Sequence, residues 1–288
     1  MKKAAIIGMG LMGGSLGVAL RRLSSPVEVA AYARRADTRE LALSMGAADT
    51  VHDSVADAVK DADIVVFCTP ILTIPSLLEE AVSFLKPGAV ITDVGSTKSE
   101  LQSHCQAFLH DKDSVFVGSH PVAGSEQSGL SASREDLYQG AVVVITPSEG
   151  TEESVITAVS MFWASVGARV LSLDPHEHDR LLAATSHVPH VIAAVLASYV
   201  HSLSDEGVAP LCGTGFKDTT RVASGSPEVW QDILQTNGAS IASGLRGCRD
   251  RLDEWIRVVE SGNPDELMTL LEKGRQARND LLSNHDDS

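Results

Sequence analysis

The fold is decided by Ala4-Ala5-Ile6-Ile7-Gly8-Met9-Gly10-Leu11-Met12-Gly13. The first four residues read as a buried strand, the next six have the spacing GxGxxG, and a helical pattern follows through about Leu23. Each glycine has its own use: Gly8 permits a tight turn, Gly10 lets backbone approach a pyrophosphate, and Gly13 lets helix and strand pack closely. The phosphates would meet the N–H groups that open the helix at Leu11 and Met12. A glycine-rich turn without a nucleotide is the simpler alternative, but the strand before it and the helix after it favour a dinucleotide site.

Outward from that turn the pattern alternates. Val27–Tyr32 reads as the second strand, and its end reports on the cofactor. An NAD site places Asp or Glu there to accept from the ribose 2′-hydroxyl. This chain has Ala33 followed by Arg34 and Arg35, whose guanidinium groups suit a 2′-phosphate, so NADP is favoured over NAD; two arginines solvating a loop are the alternative. Asp37-Thr38-Arg39-Glu40 has capping-box spacing for a helix that stops at Gly46. Ile64–Cys68 is a strand ending at Thr69-Pro70, a turn expected beside the cofactor. After a helix from about Ile74 to Phe84, the strand Ala89–Asp93 leads into the polar turn Gly95-Ser96-Thr97-Lys98. Strands and helices alternating at this spacing imply an α/β fold with a parallel, doubly wound Rossmann-type sheet.

The short run Val115-Phe116-Val117 precedes Ser119-His120-Pro121-Val122-Ala123-Gly124-Ser125-Glu126, so a histidine and a carboxylate are expected at the carboxyl end of a strand, where ligands gather in open sheets. Ala141–Ile145 and Arg169–Leu171 read as two more strands around a helix from Thr151 to Trp163. Asp174-Pro175 has the form of an N-cap with proline at the first helical position, and Asn263-Pro264 repeats it. Past residue 173 only helices are expected, at about 176–203, 228–243, 245–260 and 264–282. The chain thus reads as an NAD(P)-binding domain over 1–173 and a helical substrate-binding and dimerisation domain over 174–288. Apolar helix faces in so small a domain call for a partner, most simply a homodimer.

Composition excludes several functions. Thirty-eight acidic residues against 23 basic give a net charge of −15, which disfavours nucleic acid and membrane surfaces as partners. No signal peptide and no uninterrupted apolar run of membrane-spanning length is expected. Cys68, Cys105, Cys212 and Cys248 lack CxxC spacing and suit free thiols in the cytoplasm.

Two clusters carry the remaining chemistry. Ser186-His187-Val188-Pro189-His190 places two histidines three apart, with a proline that invites a kink. Gly213-Thr214-Gly215-Phe216-Lys217-Asp218-Thr219-Thr220-Arg221 brings two cations into a helix, suited to an anionic substrate. His176, His178, His187 and His190 are weighed as metal ligands and set aside, because their spacing is not HExxH and no carboxylate stands at an evident ligand position.

In order along the chain, GMGLMG at 8–13, DVGSTK at 93–98, GSHPVAGSE at 118–126, SHVPH at 186–190 and GFKDTTRVASGSPEVW at 215–230 resemble the prephenate/arogenate dehydrogenases, the TyrA family. The resemblance covers nearly the whole chain and implies the core enzyme, without a fused chorismate mutase or ACT domain. It implies oxidative decarboxylation of prephenate to 4-hydroxyphenylpyruvate, or of arogenate to tyrosine: hydride leaves the ring carbinol carbon for NAD(P)+, the hydroxyl loses its proton, and carbon dioxide departs. By the same resemblance His120 is the catalytic histidine and Ser96 orients it. Arg221 holds a substrate carboxylate, His187 binds substrate, and Glu126 gates or orients the site. Lys217 stands where many members carry a second arginine, keeping the charge without the bidentate fork. Trp230 is expected to line the pocket, with a core position as the alternative. A β-hydroxyacid dehydrogenase and a non-catalytic NADP-binding protein are the two rival readings.

Overall fold

The computed structural model describes residues 1–123, 127–203 and 207–283. Its first sheet is made by β1 (Lys3–Ile7), β2 (Glu28–Tyr32), β3 (Thr50–His52), β4 (Ile64–Phe67), β5 (Val90–Asp93) and β6 (Val115–Phe116), in the order β3-β2-β1-β4-β5-β6. All neighbours pair in parallel. The crossovers are α1 (Leu11–Arg21), α2 (Ala36–Ser44), α3 (Val55–Val59), α4 (Ile74–Ala81) and α5 (Ser99–Leu109). Because successive strand residues point to opposite faces, Ala4, Ile6, Ile64 and Val66 enter one buried cluster while Ala5, Ile7, Val65 and Phe67 enter the other. The strand order turns between β1 and β4, so the glycine turn after β1 and Thr69-Pro70 after β4 flank the switch point where such sheets bind ligands.

The strand β3 and the short helix α3 lie between Gly46 and Ile64, where the sequence gives rise to no expectation. Two local expectations need correction. Asp37 does not cap α2: Arg35 is the N-cap residue, and the Asp37 carboxylate is taken up by the Arg35 guanidinium and by the N–H of Thr38. The second concerns His120, which lies inside a strand rather than in a turn after one.

At Val117 the chain leaves the first sheet and begins a second, three-stranded one of β7 (Gly118–Val122), β8 (Val142–Thr146) and β9 (Arg169–Ser172). β7 runs antiparallel to β8, with His120 opposite Val144, and β9 runs parallel to β8 after the crossover helix α6 (Glu153–Ser165). Gly118 has no room for a side chain, since a Cβ would lie 2.5 Å from Thr146 Oγ1 and 3.0 Å from Lys98 Cδ.

Asp174 caps α7 (Pro175–Leu182) by accepting from the N–H groups of His176 and Glu177. The helix widens to a π turn over Ala183–His187 and continues as α8 (Val188–Ser202). This 28-residue run is long and apolar enough on average to cross a membrane. Among its polar side chains, His178, Asp179, His187 and His190 are buried within the fold. Then come α9 (Val208–Leu211), α10 (Thr214–Thr220), a 3-10 turn at Arg221–Ser224 and α11 (Pro227–Thr236). The break expected near 243–245 falls instead at Asn237, whose side chain turns inward to donate to the Asp179 carbonyl at 2.7 Å.

By contacts the chain separates into compact units of residues 1–238 and 239–288. The second consists, where described, of α12 (Gly238–Ser261) and α13 (Pro264–Ser283), the latter capped by Asn263 Oδ1 accepting from the N–H groups of Asp265 and Glu266.

Candidate active site

The turn after β1 meets the demands of a dinucleotide. Gly8 has φ +108°, open to glycine at little cost, and a Cβ there would lie 2.7 Å from Thr69 Cγ2. A Cβ on Gly13 would overlap the Gly8 carbonyl oxygen, whereas one on Gly10 would meet nothing within 4 Å, so the open side of the turn is at Gly10. The first turn of α1, with Leu11 and Met12 half-buried, contains no acidic residue to oppose a phosphate. Thr69 Oγ1 is buried and has no partner among the described residues, a donor and acceptor left for a ligand; Pro70 beside it is exposed. These features fit a nicotinamide dinucleotide. A segment that the sequence did not single out holds the turn from behind: Ser133 Oγ donates to the Leu11 carbonyl at 3.3 Å, Tyr138 Oη to the Met12 carbonyl at 2.8 Å, and the Arg134 N–H to Ser15 Oγ at 3.0 Å.

At the end of β2, Arg34 is exposed and Arg35 is held by Asp37, whose carboxyl is lowered to about 2, first by that hydrogen bond. Of the two cations, Arg34 is the one not tied to Asp37.

Around His120 the site is made of side chains from separated segments. β7 directs Ser119 and His120 to opposite sides. Ser119 Oγ meets Thr92 Oγ1 at 2.7 Å and accepts from Trp163 Nε1 at 3.0 Å, which fixes the strand from behind. His120 Nδ1 lies 2.9 Å from His178 Nε2, and His178 Nδ1 lies 2.8 Å from Asp179 Oδ1, with all three residues buried. Burial first, then the charges of His178, Lys98 and His187, holds the His120 imidazole well below its ordinary range, so it is neutral at physiological pH.

The turn carrying Ser96 is fixed on both sides. Asp93 accepts from the N–H groups of Gly95 and Ser119 and from the fully buried Lys98 ammonium, and Thr97 Oγ1 meets Thr236 Oγ1 at 2.7 Å. Ser96 itself is half-buried.

Proline at 189 removes one helical N–H, and the π turn before it is closed by Val188 donating to Ala183, five residues back. In an unbroken α-helix of 3.6 residues per turn, His178 and His187, nine positions apart, would stand about half a turn out of phase. The extra residue in the π turn rotates the later half back toward His178. Asn237 Nδ2 reaches both sides of the turn, 2.7 Å from the Asp179 carbonyl and 3.3 Å from His187 Nδ1. Burial lowers His187 to about 4, so it too is neutral.

Trp230 resolves between its two expectations by doing part of each. Half-buried, it stacks on His190 at 3.5 Å between ring centroids and stands edge-on to His187 at 6.0 Å. His190 has a buried Nδ1 without a partner among the described residues and a hydrogen bond with the backbone of Val222, which ties the turn bearing Arg221 to α8. Arg221 and Lys217 are both exposed. Glu126 lies outside the described residues.

His178, Asp179, Asn237 and His190 therefore join the cluster without having been expected there as a group. Asp179 and Asn237 sit in no motif, and their only sequence signal is the helix phase and the helix break. Among the described residues no three His, Cys, Asp or Glu side chains are grouped to hold a metal ion, and the four cysteines are free thiols.

Comparison with known proteins bears on this geometry. Residues 16–172 match the family model described as prephenate dehydrogenase, nucleotide-binding domain, and residues 174–273 match prephenate dehydrogenase, dimerization domain. The chain is 32% identical to cyclohexadienyl dehydrogenase of Zymomonas mobilis over 288 residues, covering 99% of this chain and 98% of that protein. Among solved structures it resembles prephenate dehydrogenase of Aquifex aeolicus in complex with hydroxyphenyl propionate and NAD+, at 29% identity and TM-score 0.90 over 98% of both chains. It also resembles Synechocystis arogenate dehydrogenase, at 28% identity and TM-score 0.85 over 97% of this chain and 99% of the other.

Proposed function

The chain belongs to the prephenate dehydrogenase family, and from that premise we propose which of its residues carry the family's reaction. It is an NAD(P)-dependent oxidoreductase of tyrosine biosynthesis that oxidatively decarboxylates prephenate or arogenate. The dinucleotide, when bound, supplies the hydride acceptor.

The observation that carries the assignment is a buried, neutral His120 held by hydrogen bonding in the second sheet. Its lone pair accepts the proton of the ring hydroxyl as hydride leaves the carbinol carbon; a positioned base of this kind contributes about 10²–10⁴ in rate. Ser96 bonds the same region and orients the imidazole. Arg221 and Lys217 supply cations for a substrate with two carboxylates, Arg221 as a bidentate fork and Lys217 as a point charge. His187, neutral and accepting from Asn237 at Nδ1, keeps Nε2–H as a donor toward substrate, and Trp230 forms the wall between His187 and His190.

NADP is the preferred cofactor on this reading, with Arg34 the first contact to the 2′-phosphate and Arg35 available once Asp37 releases it. The functional boundary falls near residue 173, between cofactor holder and helical substrate-binding domain. A homodimer forms through the helical part: Val195 and Tyr199 are exposed on α8, as are Leu252, Ile256 and Val259 along one face of α12. The cytoplasm is the proposed location, where free thiols persist.

The test is an initial-rate assay with prephenate or arogenate and NADP or NAD, followed by the absorbance of the reduced nicotinamide. Turnover is expected with at least one pair, and the fastest pair names substrate and cofactor. A folded protein inert with all four overturns the assignment.

A further inference from the structure

We propose that His178 and Asp179 are positioning residues for the base: they decide which nitrogen of His120 is bare, and they receive the proton that His120 gives up on its far side. This rests on the assignment of His120 made above. Asp179 is the fixed point. One carboxylate oxygen accepts from the Lys98 N–H at 2.8 Å and from His178 at 2.8 Å, and the other accepts from the Ser99 N–H at 2.9 Å. Those two N–H groups open α5, so the carboxylate caps that helix from a different element, in the field that favours negative charge. Burial pushes the Asp179 carboxyl up, but the hydrogen bonds from His178, Ser99 and Lys98 outweigh it and keep the group ionised.

An ionised carboxylate can only accept, so His178 carries its hydrogen on Nδ1. A neutral imidazole of that form has a bare Nε2, and this nitrogen faces His120 Nδ1 at 2.9 Å. His120 must then donate from Nδ1, which leaves its Nε2 bare as the base. One carboxylate thus sets the tautomer of two histidines in series.

The same chain handles the proton. When Nε2 of His120 takes the hydroxyl proton, the hydrogen on its Nδ1 can cross to Nε2 of His178. One N–H bond breaks and one forms, no electrons are exchanged, and the positive charge comes to rest beside Asp179. The other titratable and charged groups near His120 are the buried Lys98, paired with Asp93, and His187. Lys98 opposes a charge on His120 itself, so moving that charge toward the carboxylate lowers its energy.

Nitrogen-15 NMR of the histidine-labelled full chain near neutral pH, assigned with His120→Asn and His178→Gln, reads the tautomers without any substrate. Hydrogen on Nδ1 of both His120 and His178 is expected; hydrogen on Nε2 of His120 overturns the proposal. Because no turnover is needed, an enzyme inert in the four-way assay would sink the function while the tautomers still decide this point. In an active enzyme, His178→Gln keeps an oxygen to accept from His120 but cannot take its proton. Its kcat is expected to fall about 10–100-fold and the acidic limb of its pH profile to move, with KM and dinucleotide affinity within about twofold of the starting enzyme. His178→Leu, which also loses tautomer control, should fall further. A His178→Gln enzyme with unchanged kcat and pH profile overturns the proton-receiving role, and so does a loss confined to KM or melting temperature.

Discussion

On the proposed reading, the working groups between Gly8 and Gly13 are backbone atoms, whereas around His120 they are side chains delivered by β7, α7, the π turn and the break at Asn237. The first region works by what it lacks. Gly13 must have no Cβ for helix and strand to approach, and Gly10 leaves space at the helix N-terminus. The second works by burial and pairing, since burial keeps His120 and His187 neutral while His120, His178, Asp179 and Asn237 hydrogen-bond to one another or to nearby backbone. A recognition site for phosphates can be written as one local run, because N–H groups are the same in every residue. A proton-handling site needs particular side chains in a particular order, which no single segment supplies.

The comparison breaks most sharply at His120. His120→Asn should lower kcat by about 10²–10⁴ while dinucleotide affinity, a property of the other region, stays within about twofold. A parallel fall in cofactor affinity, measured by fluorescence titration, would mean that the two regions are not separable in this way.

A pH effect on stability is next in size. His187 titrates near 4 in the folded chain against an ordinary 6.5, so its contribution is complete above about 6.5. As pH falls, the unfolded chain takes the proton first, and stability declines until pH reaches about 4. That one histidine is worth about 3 kcal/mol across the window, with His120 acting in the same direction. Urea denaturation at pH 7 and pH 5 should show the decline, and His187→Gln should flatten it; an equal slope in that variant would refute the assignment.

Within the glycine turn, two substitutions should separate packing from binding. Gly13→Ala should cost about 1–3 kcal/mol of stability by overpacking. Gly10→Ala should melt as the starting protein does, yet bind the dinucleotide about tenfold more weakly, about 1.4 kcal/mol. If Gly10→Ala leaves affinity untouched, the pyrophosphate does not pass over it.

An effect on binding as small as that at Gly10 is expected at the rim of the cofactor site. Replacing Arg34 and Arg35 with serine should weaken NADP by about tenfold and NAD hardly at all, the loss of one or two charge-assisted hydrogen bonds. Equal losses for both dinucleotides would remove the 2′-phosphate from the explanation. In the single variants Arg34→Ser should exceed Arg35→Ser, since Asp37 already holds Arg35.

Much of the first sheet was legible because its signals are short-range: apolar strands, glycine turns and capped helices repeat along the chain. Asp37 misled because capping-box spacing describes an opportunity, and Arg35 two residues away took the carboxylate first. His120 misled differently. Val115–Val117 and Gly118–Val122 read as a strand and a turn, yet they are two strands of two sheets, since β8 and β9 offer β7 a ladder that lies far ahead in sequence.

The sequence by itself determined the dinucleotide turn, the α/β alternation, the change to helices after Asp174, and the histidine and arginine motifs that carry the family resemblance. Each of these depends on a few neighbouring residues and on backbone preferences that act locally. Only the tertiary structure decided that His178 stands behind His120, 58 positions away. The same holds for Asp179 capping a helix 80 positions earlier and for the π turn that brings His187 round to share Asn237 with it. The physical reason is that a buried histidine's charge is set first by its burial and its tautomer by whatever hydrogen-bonds to it, and both are chosen by packing between elements, not by position along the chain.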